Sequence, residues 1–313
     1  MPQADLQKLE TYRGRIAPSP TGLLHLGHAR TFWFAEQRAR RAGGRLILRN
    51  EDIDQSRCKS EFGSAMHEDL RWFGFTWEEG PDVGGDFGPY VQSERREMYQ
   101  AAFLKLLAGG FIYPCVCSRK DLEVAASAPH ENADERMYPG ICRPNDPKGW
   151  SALNPFDAPK ELGQAFPVVR EISRRPSWRF VVQRGRTITF EDGMYGRQTF
   201  VAGEDFGDFV VWRQDDWPSY QMACAVDDHL MGITEVVRGS DLLISTARQL
   251  LLYDALGWES PNFFHCPLMT DEQGVRLAKR HDALSLRQLR DRGDRPESWR
   301  GNWRSEMLET LAG

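Results

Sequence analysis

The 313-residue sequence predicts an α/β protein whose parallel sheet is laid down in two halves, with a cysteine-bearing insertion between them. Three observations carry that expectation. Gly14 to Gly44 reads as a strand, a Pro/Gly corner and a one-sided helix. From Asp208 the chain returns to the same strand and helix rhythm. The interval between them holds three cysteines within 28 residues and, from Pro129 to Pro176, eight of the 18 prolines.

In the first stretch, Arg15-Ile16-Ala17 has an apolar centre, and Pro18, Pro20 and Gly22 end the strand by Ser19, because proline lacks an N–H donor and glycine allows the turn. Ala29, Phe32, Trp33, Ala35, Ala39 and Ala42 then recur at helical spacing, and Gly43-Gly44 supply the stop. His25 and His28 fall in the first turn. Free backbone N–H groups and the positive end of the dipole favour an anion there, two imidazoles add directed donors for phosphate oxygens, and Gly27 leaves no side chain in a nucleotide's way.

Arg45 to Arg49 is a compact run of strand length that closes a crossover parallel to the first strand. Glu51, Asp52 and Asp54 follow at its carboxyl end, the side of an open parallel sheet where ligands bind. Glu51 suits the ammonium group of an amino acid, and Asp54 suits the cap of the next helix. Helices are expected from Lys59 to Phe73 and from Glu94 to Ala108, with a surface excursion at Thr76–Pro89 between them and a strand at Phe111–Tyr113 after them.

Cys115-Val116-Cys117 puts two thiols on one side of an extended chain, and Cys142 follows Tyr138 by four residues. A structural zinc wants four ligands. The residues leave His130, Tyr138, an acid or water open as the fourth, and ordinary donor chemistry favours His130. The proline-rich interval is a loop-rich insertion, with strands at Trp178–Val182 and Thr187–Phe190. Past Asp208, Phe209–Trp212 reads as a buried strand, Tyr220–Asp228 as a helix, Thr234–Gly239 as a strand carrying Arg238, and Ser245–Leu256 as a helix stopped by Gly257. Arg238 at a strand's carboxyl end suits a bidentate grip on a carboxylate, with Tyr220 adding a hydroxyl, and a pair with Glu235 or Asp241 is the plainer alternative. His265 reads as a lone structural histidine. Arg276-Leu277-Ala278-Lys279-Arg280 is a basic loop that by itself reads as a solvated run of charge.

Composition narrows the class. With 41% hydrophobic residues the chain can fill ordinary cores, and its length allows two domains. No run approaches the roughly 18 apolar residues of a membrane helix, and Met1–Arg15 lacks the apolar stretch of a signal peptide, so a cytoplasmic protein with no membrane partner is expected. The net charge of −5 argues against a general nucleic-acid coat, although Arg38, Arg40, Arg41 and Arg45 could form a local phosphate-meeting patch. Six cysteines are sparse for a disulfide scaffold, and the clustering of three points to a metal.

Arg15 to Arg30, RIAPSPTGLLHLGHAR, resembles the first signature of class I aminoacyl-tRNA synthetases, and together with LRNEDID at Leu48–Asp54 it is similar to their glutamyl branch. The basic loop around Lys279 resembles the second signature, with Arg276 in place of a lysine and Ala278 in place of a serine. The resemblance spans nearly the whole chain. It implies a Rossmann-like catalytic domain in halves at 1–112 and 201–260, a zinc-binding acceptor module at 113–200, and a signature loop with a short helical segment at 261–313. It also implies that His25, Gly27, His28 and Lys279 hold ATP, which brings Mg²⁺, and that Arg15, Ile16, Ala17, Pro18, Ser19, Glu51, Tyr220 and Arg238 hold L-glutamate. One structural Zn²⁺ would sit on Cys115, Cys117, Tyr138 and Cys142, since C-x-C followed by Y-x-x-x-C matches the branch members whose fourth ligand is tyrosine. Past Leu286 only 27 residues remain, too few for an anticodon-binding domain of typically 50 or so. Members of that shortened kind attach glutamate to the queuosine base in the anticodon stem-loop of tRNA(Asp), and a monomer of this type is expected. A truncated glutamyl-tRNA synthetase charging a 3′ end, a small-molecule nucleotidylyltransferase and a non-catalytic RNA-binding protein are the alternatives.

Overall fold

Four residues, Arg13–Ile16, make the first strand (β1), and the computed structural model buries all of them, the two arginines by pairing with Glu79 and Asp228. The structure describes residues 11–118, 137–150, 155–156, 175–269 and 285–312. Behind the Pro/Gly corner, helix α1 (Leu26–Arg41) buries Ala29, Phe32, Trp33, Phe34, Ala35 and Ala39. Each large apolar side chain so buried contributes about 1.5–3 kcal/mol. Ala42 is the C-cap and Gly43 takes φ 60°, the left-handed conformation that ends the helix at little cost. Strand β2 (Arg45–Leu48) returns parallel to β1, in register from Arg13 opposite Arg45 to Ile16 opposite Leu48.

The other half adds β8 (Glu235–Gly239) and β9 (Asn262–Cys266), also parallel. The backbone N–H of Thr234 donates to the Arg13 carbonyl at 2.9 Å, which sets β8 beside β1. Two parallel strand pairs, β1-β2 and β8-β9, are thus laid down, each with a helix between its strands. Strand β5 (Thr187–Asp192) joins β9 in parallel at Asp192 opposite Phe263, and β6 (Gly196–Val201) pairs antiparallel with β5. Sequence reading found β5 and passed over β6, whose alternation is short and bounded by Gly193 and Gly196. A separate antiparallel sheet joins β3 (Ile112–Cys115), β4 (Ser177–Phe180) and β7 (Phe209–Trp212) in the order β3-β4-β7. The remaining helices are α2 (Ser60–Trp72), α3 (Arg96–Ala108), α4 (Tyr220–Leu230), α5 (Leu243–Leu256), α6 (Leu286–Asp291) and α7 (Pro296–Ala312). No helix among the described residues is long and apolar enough to cross a membrane.

Three expectations need correction. Thr76–Pro89 is a surface excursion only in part: Pro81–Asp86 is exposed, but Trp77 and Glu79 are buried, and Glu79 bridges in parallel to Ile47. Glu79 is drawn in by the guanidinium of Arg13, at 2.8 and 3.1 Å, and by the hydroxyl of Tyr90. The basic patch is also partly committed internally. Arg38 grips Glu235 at 2.6 and 2.7 Å, Arg40 pairs with Glu36 at 3.0 Å and Arg45 with Glu79 at 3.4 Å, while the Arg40 and Arg45 side chains stay 55% exposed. Finally, Asp54 does not cap α2, whose N-cap is Lys59. Its carboxylate accepts from Ser56 Oγ and Arg57 Nε, organising the turn before the helix.

Candidate active site

The first turn of α1 is capped by its own histidines. His25 is the N-cap, and its Nδ1 accepts from the Gly27 N–H at 3.1 Å while His28 Nδ1 accepts from the His25 N–H at 3.3 Å. The two rings stack with centroids 3.7 Å apart. Because each Nδ1 is an acceptor, the proton of each neutral ring sits on Nε2 and is free to be donated. Burial holds the His25 pKa below its ordinary value. Burial, then the neighbouring imidazole, lowers His28 as well, though its solvent contact at the cleft mouth limits that shift. Gly27 has a further duty beyond keeping a nucleotide's path clear, since a Cβ there would meet His25 Cε1 at 3.0 Å and Nδ1 at 3.1 Å.

A cleft of about 460 Å³ opens beside these rings. Arg15, Ala17, Pro18 and Ser19 line it from the end of β1, and His25, Gly27 and His28 from α1. Glu51 lines it from beyond β2, Tyr220 from the head of α4 and Arg238 from β8. All lie at the carboxyl end of the parallel strands, where such sheets bind ligands. Ile16 differs: its side chain is fully buried in the core under α1, and its carbonyl accepts from the Arg49 N–H at 3.0 Å. Lys279 and His130 lie outside the described residues. The two chain ends flanking 270–284 both reach the cleft, because Met269 lines it and Ser285 bridges to His25.

Behind the cleft wall runs a buried web of charge. Arg49, with no solvent exposure, donates to Glu51 Oε1 at 3.0 Å and to Asp228 Oδ1 at 2.7 Å, and Asp228 also accepts from Arg15 Nε at 3.3 Å. Asp227 is held by Arg95 Nε at 2.6 Å, Gln92 and Tyr99. Three guanidiniums (Arg15, Arg49, Arg95) thus meet three carboxylates (Glu51, Asp227, Asp228), which is what a dry interior requires. Burial works to raise Asp228's pKa, but Arg49 and Arg15 outweigh it and hold the carboxyl below its ordinary value. Arg238 does not pair with Glu235, which is taken by Arg38. It donates to His265 Nε2 at 3.2 Å, Gln249 Oε1 at 2.9 Å and Thr246 Oγ1 at 2.7 Å, all neutral acceptors. Arg49, Asp228 and His265 were missed as site residues. A visible signal existed for Asp228, since two acids close an otherwise apolar helical run at Asp227-Asp228.

Tyr220 also lines a second cavity of about 360 Å³, which runs past Gln221, Arg179 and Arg248 to Tyr138. Beside it the Sγ atoms of Cys115, Cys117 and Cys142 all lie within 4.8 Å of one another. The Tyr138 Oη is 3.4 Å from Cys115 Sγ and 3.6 Å from Cys117 Sγ, so four donor atoms converge. A hydrogen bond from Cys142, aided by Tyr138 and the Arg179 charge, holds the Cys115 sulfur down at about 4 against burial that would raise it. A sulfur disposed to be a thiolate is what a metal ligand must be.

Comparison with known proteins decides the family. Residues 11–146 and 164–302 match the family described as tRNA synthetases class I (E and Q), catalytic domain. The chain belongs to the class I tRNA synthetases of this type. As a member it is a ligase with the α/β catalytic fold of that class, and the class works with ATP, an amino acid and tRNA. The synthetase is 48% identical over 287 residues to glutamyl-Q tRNA(Asp) synthetase of Symbiobacterium thermophilum, covering 91% of this chain and 83% of that one. It is 44% identical to the protein of the same name from Nitratidesulfovibrio vulgaris, covering 90% and 82%. Among solved structures it resembles glutamate-tRNA synthetase from Elizabethkingia anophelis, with a TM-score of 0.71 and 31% identity over 90% of this chain. The synthetase spans about half of that solved chain, 54% of its length.

Proposed function

We propose that this synthetase activates L-glutamate with ATP to glutamyl-adenylate and transfers the glutamyl group to the queuosine base of tRNA(Asp). The observation that carries the reading is one cleft lined by both imidazole donors, the Glu51 carboxylate and the Arg238 guanidinium. The two relatives named glutamyl-Q tRNA(Asp) synthetase, each covered over four fifths of its length, support the choice of acceptor.

In this reading His25 and His28 donate Nε2–H to ATP phosphate oxygens, and the nucleotide lies along Gly27. Glu51, oriented by Arg49, receives the substrate ammonium. Arg238 and Tyr220 take the side-chain carboxylate, with Arg15, Ala17, Pro18 and Ser19 as the facing wall and Ile16 contributing through its backbone. Lys279 neutralises charge on the departing pyrophosphate, which Mg²⁺ also offsets. Positioning and charge stabilisation supply the rate, and no protein nucleophile is required. Residues 113–200 form the acceptor-facing module, stapled by one Zn²⁺ on Cys115, Cys117, Cys142 and Tyr138. Arg179 lies 3.8 Å over the Tyr138 ring, while burial, then the hydrogen bond with Cys115, raises the pKa of the phenol, so binding a metal through its oxygen would release that proton. The protein acts as a cytoplasmic monomer on the anticodon stem-loop.

Glutamate-dependent ATP/pyrophosphate exchange, followed by labelled-glutamate transfer to tRNA before and after periodate treatment, tests this. Transfer to tRNA(Asp) that is lost when queuosine is oxidised is expected, and Lys279→Ala should slow exchange by about 100-fold. Glutamate arriving at a 3′ end instead would overturn the acceptor assignment, and exchange that does not need glutamate would point to a nucleotidylyltransferase.

A further inference from the structure

Arg238 is gripped from behind by a pair of residues that do not line the cleft. In the parallel register of β8 and β9, His265 stands directly across from Arg238. Its ring has no solvent exposure, and its Nε2 lies 3.2 Å from Arg238 Nε. A guanidinium can only donate, so Nε2 must accept, and the ring proton must sit on Nδ1. That Nδ1 is 2.6 Å from Asp192 Oδ2 at the end of β5. Asp192 is itself 4% exposed, and it is fixed by backbone N–H groups of Met194 at 3.0 Å, Tyr195 at 2.9 Å and His265 at 3.1 Å. Every group in the line Asp192, His265, Arg238 therefore has one allowed protonation and one allowed orientation.

The consequence falls on the face of Arg238 turned to the cleft. His265 holds the Nε edge, while Thr246 and Gln249 each take one N–H of the two terminal nitrogens. A guanidinium has five N–H donors and these contacts take three, so with its rotation locked two remain for the cleft that Arg238 lines. A planar fork so held fits a carboxylate with two acceptor oxygens. It misfits a carboxamide, which would set its own N–H₂ against a donor.

We propose that Asp192 and His265 are positioning residues that lock the Arg238 fork and thereby set the preference for a substrate side-chain carboxylate over the corresponding carboxamide. This rests on the reading that Arg238 receives that side chain. Asp192 and His265 touch no substrate and act only through Arg238.

The test is steady-state ATP/pyrophosphate exchange with glutamate and with glutamine, using Arg238→Ala, His265→Ala, His265→Gln and Asp192→Asn, with thermal melts to confirm folding. His265→Ala and Asp192→Asn should raise the KM for glutamate by about 10-fold and shrink the glutamate-over-glutamine ratio of kcat/KM by a similar factor, with the KM for ATP within about twofold. His265→Gln should recover most of the ratio, because its Oε1 can accept from Arg238 Nε while its N–H₂ donates to Asp192. Should His265→Ala fail to fold, Asp192→Asn carries the same comparison. An unchanged ratio in His265→Ala and Asp192→Asn, alongside a collapse in Arg238→Ala, would overturn this inference alone. The same holds for equal losses toward ATP and glutamate, the mark of a merely structural role. An unaffected glutamate KM in Arg238→Ala would overturn the pocket reading beneath it.

Discussion

His25 and His28 carry their function in which nitrogen holds the proton. Each Nδ1 is spent inside the helix cap, so each Nε2–H faces outward and the rings serve as neutral donors rather than cations. Both pKa values are held below the ordinary imidazole value, chiefly by burial. The folded chain then resists protonation that the unfolded chain accepts as pH drops through about 6.5, so this contribution to stability is complete above that pH and drains away below it. His28→Gln removes the titrating group. Between pH 7 and pH 5 the urea midpoint of the variant should fall less than that of the parent protein. An equal fall in both would mean that His28 is not protonation-resistant in the fold.

At the level of the element, α1 is a helix whose start is made by side chains that also serve the site. Gly27→Ala isolates that double use. Alanine favours a helix interior by about 0.8–1.0 kcal/mol over glycine, so melting should change little. The new Cβ crowds the His25 ring, 3.0 Å from its Cε1 and 3.1 Å from its Nδ1, so the ring must give way slightly and its cap is strained. The KM for ATP should rise by about 10-fold while the KM for glutamate stays put, and a nucleotide KM left unchanged would contradict this account of the glycine. Elements of this kind were legible because their signals are local. Helical spacing, Pro/Gly stops and compact apolar runs placed α1, β2, α4 and β8 close to where they stand, and strand ends placed Glu51, Tyr220 and Arg238 on one cleft. The burial of Glu79 and the partners of His265 were not visible because those partners are remote in sequence. Nothing near Glu79 announces Arg13, 66 residues away, and nothing near His265 announces Asp192, 73 residues away.

Across the molecule the apolar interior is divided unequally. One cluster lies between α3, α4, α5 and the antiparallel sheet, and another lies under α1, where Trp303 of α7 packs against Trp33 and Phe73. Among the described residues the cysteine corner has only Tyr113, Cys115 and Tyr138 as its buried set, too little to fix a segment by burial alone. Cys142→Ser should accordingly release zinc, read by elemental analysis, and depress transfer to tRNA much more than tRNA-independent adenylate formation. Equal losses in both half-reactions, or metal-free parent protein, would argue against a stapled acceptor module. Tyr220 gives this layout its economy. It lines both the cleft beside the paired histidines and the second cavity that runs to Tyr138, so a change at this one side chain reaches two chambers at once.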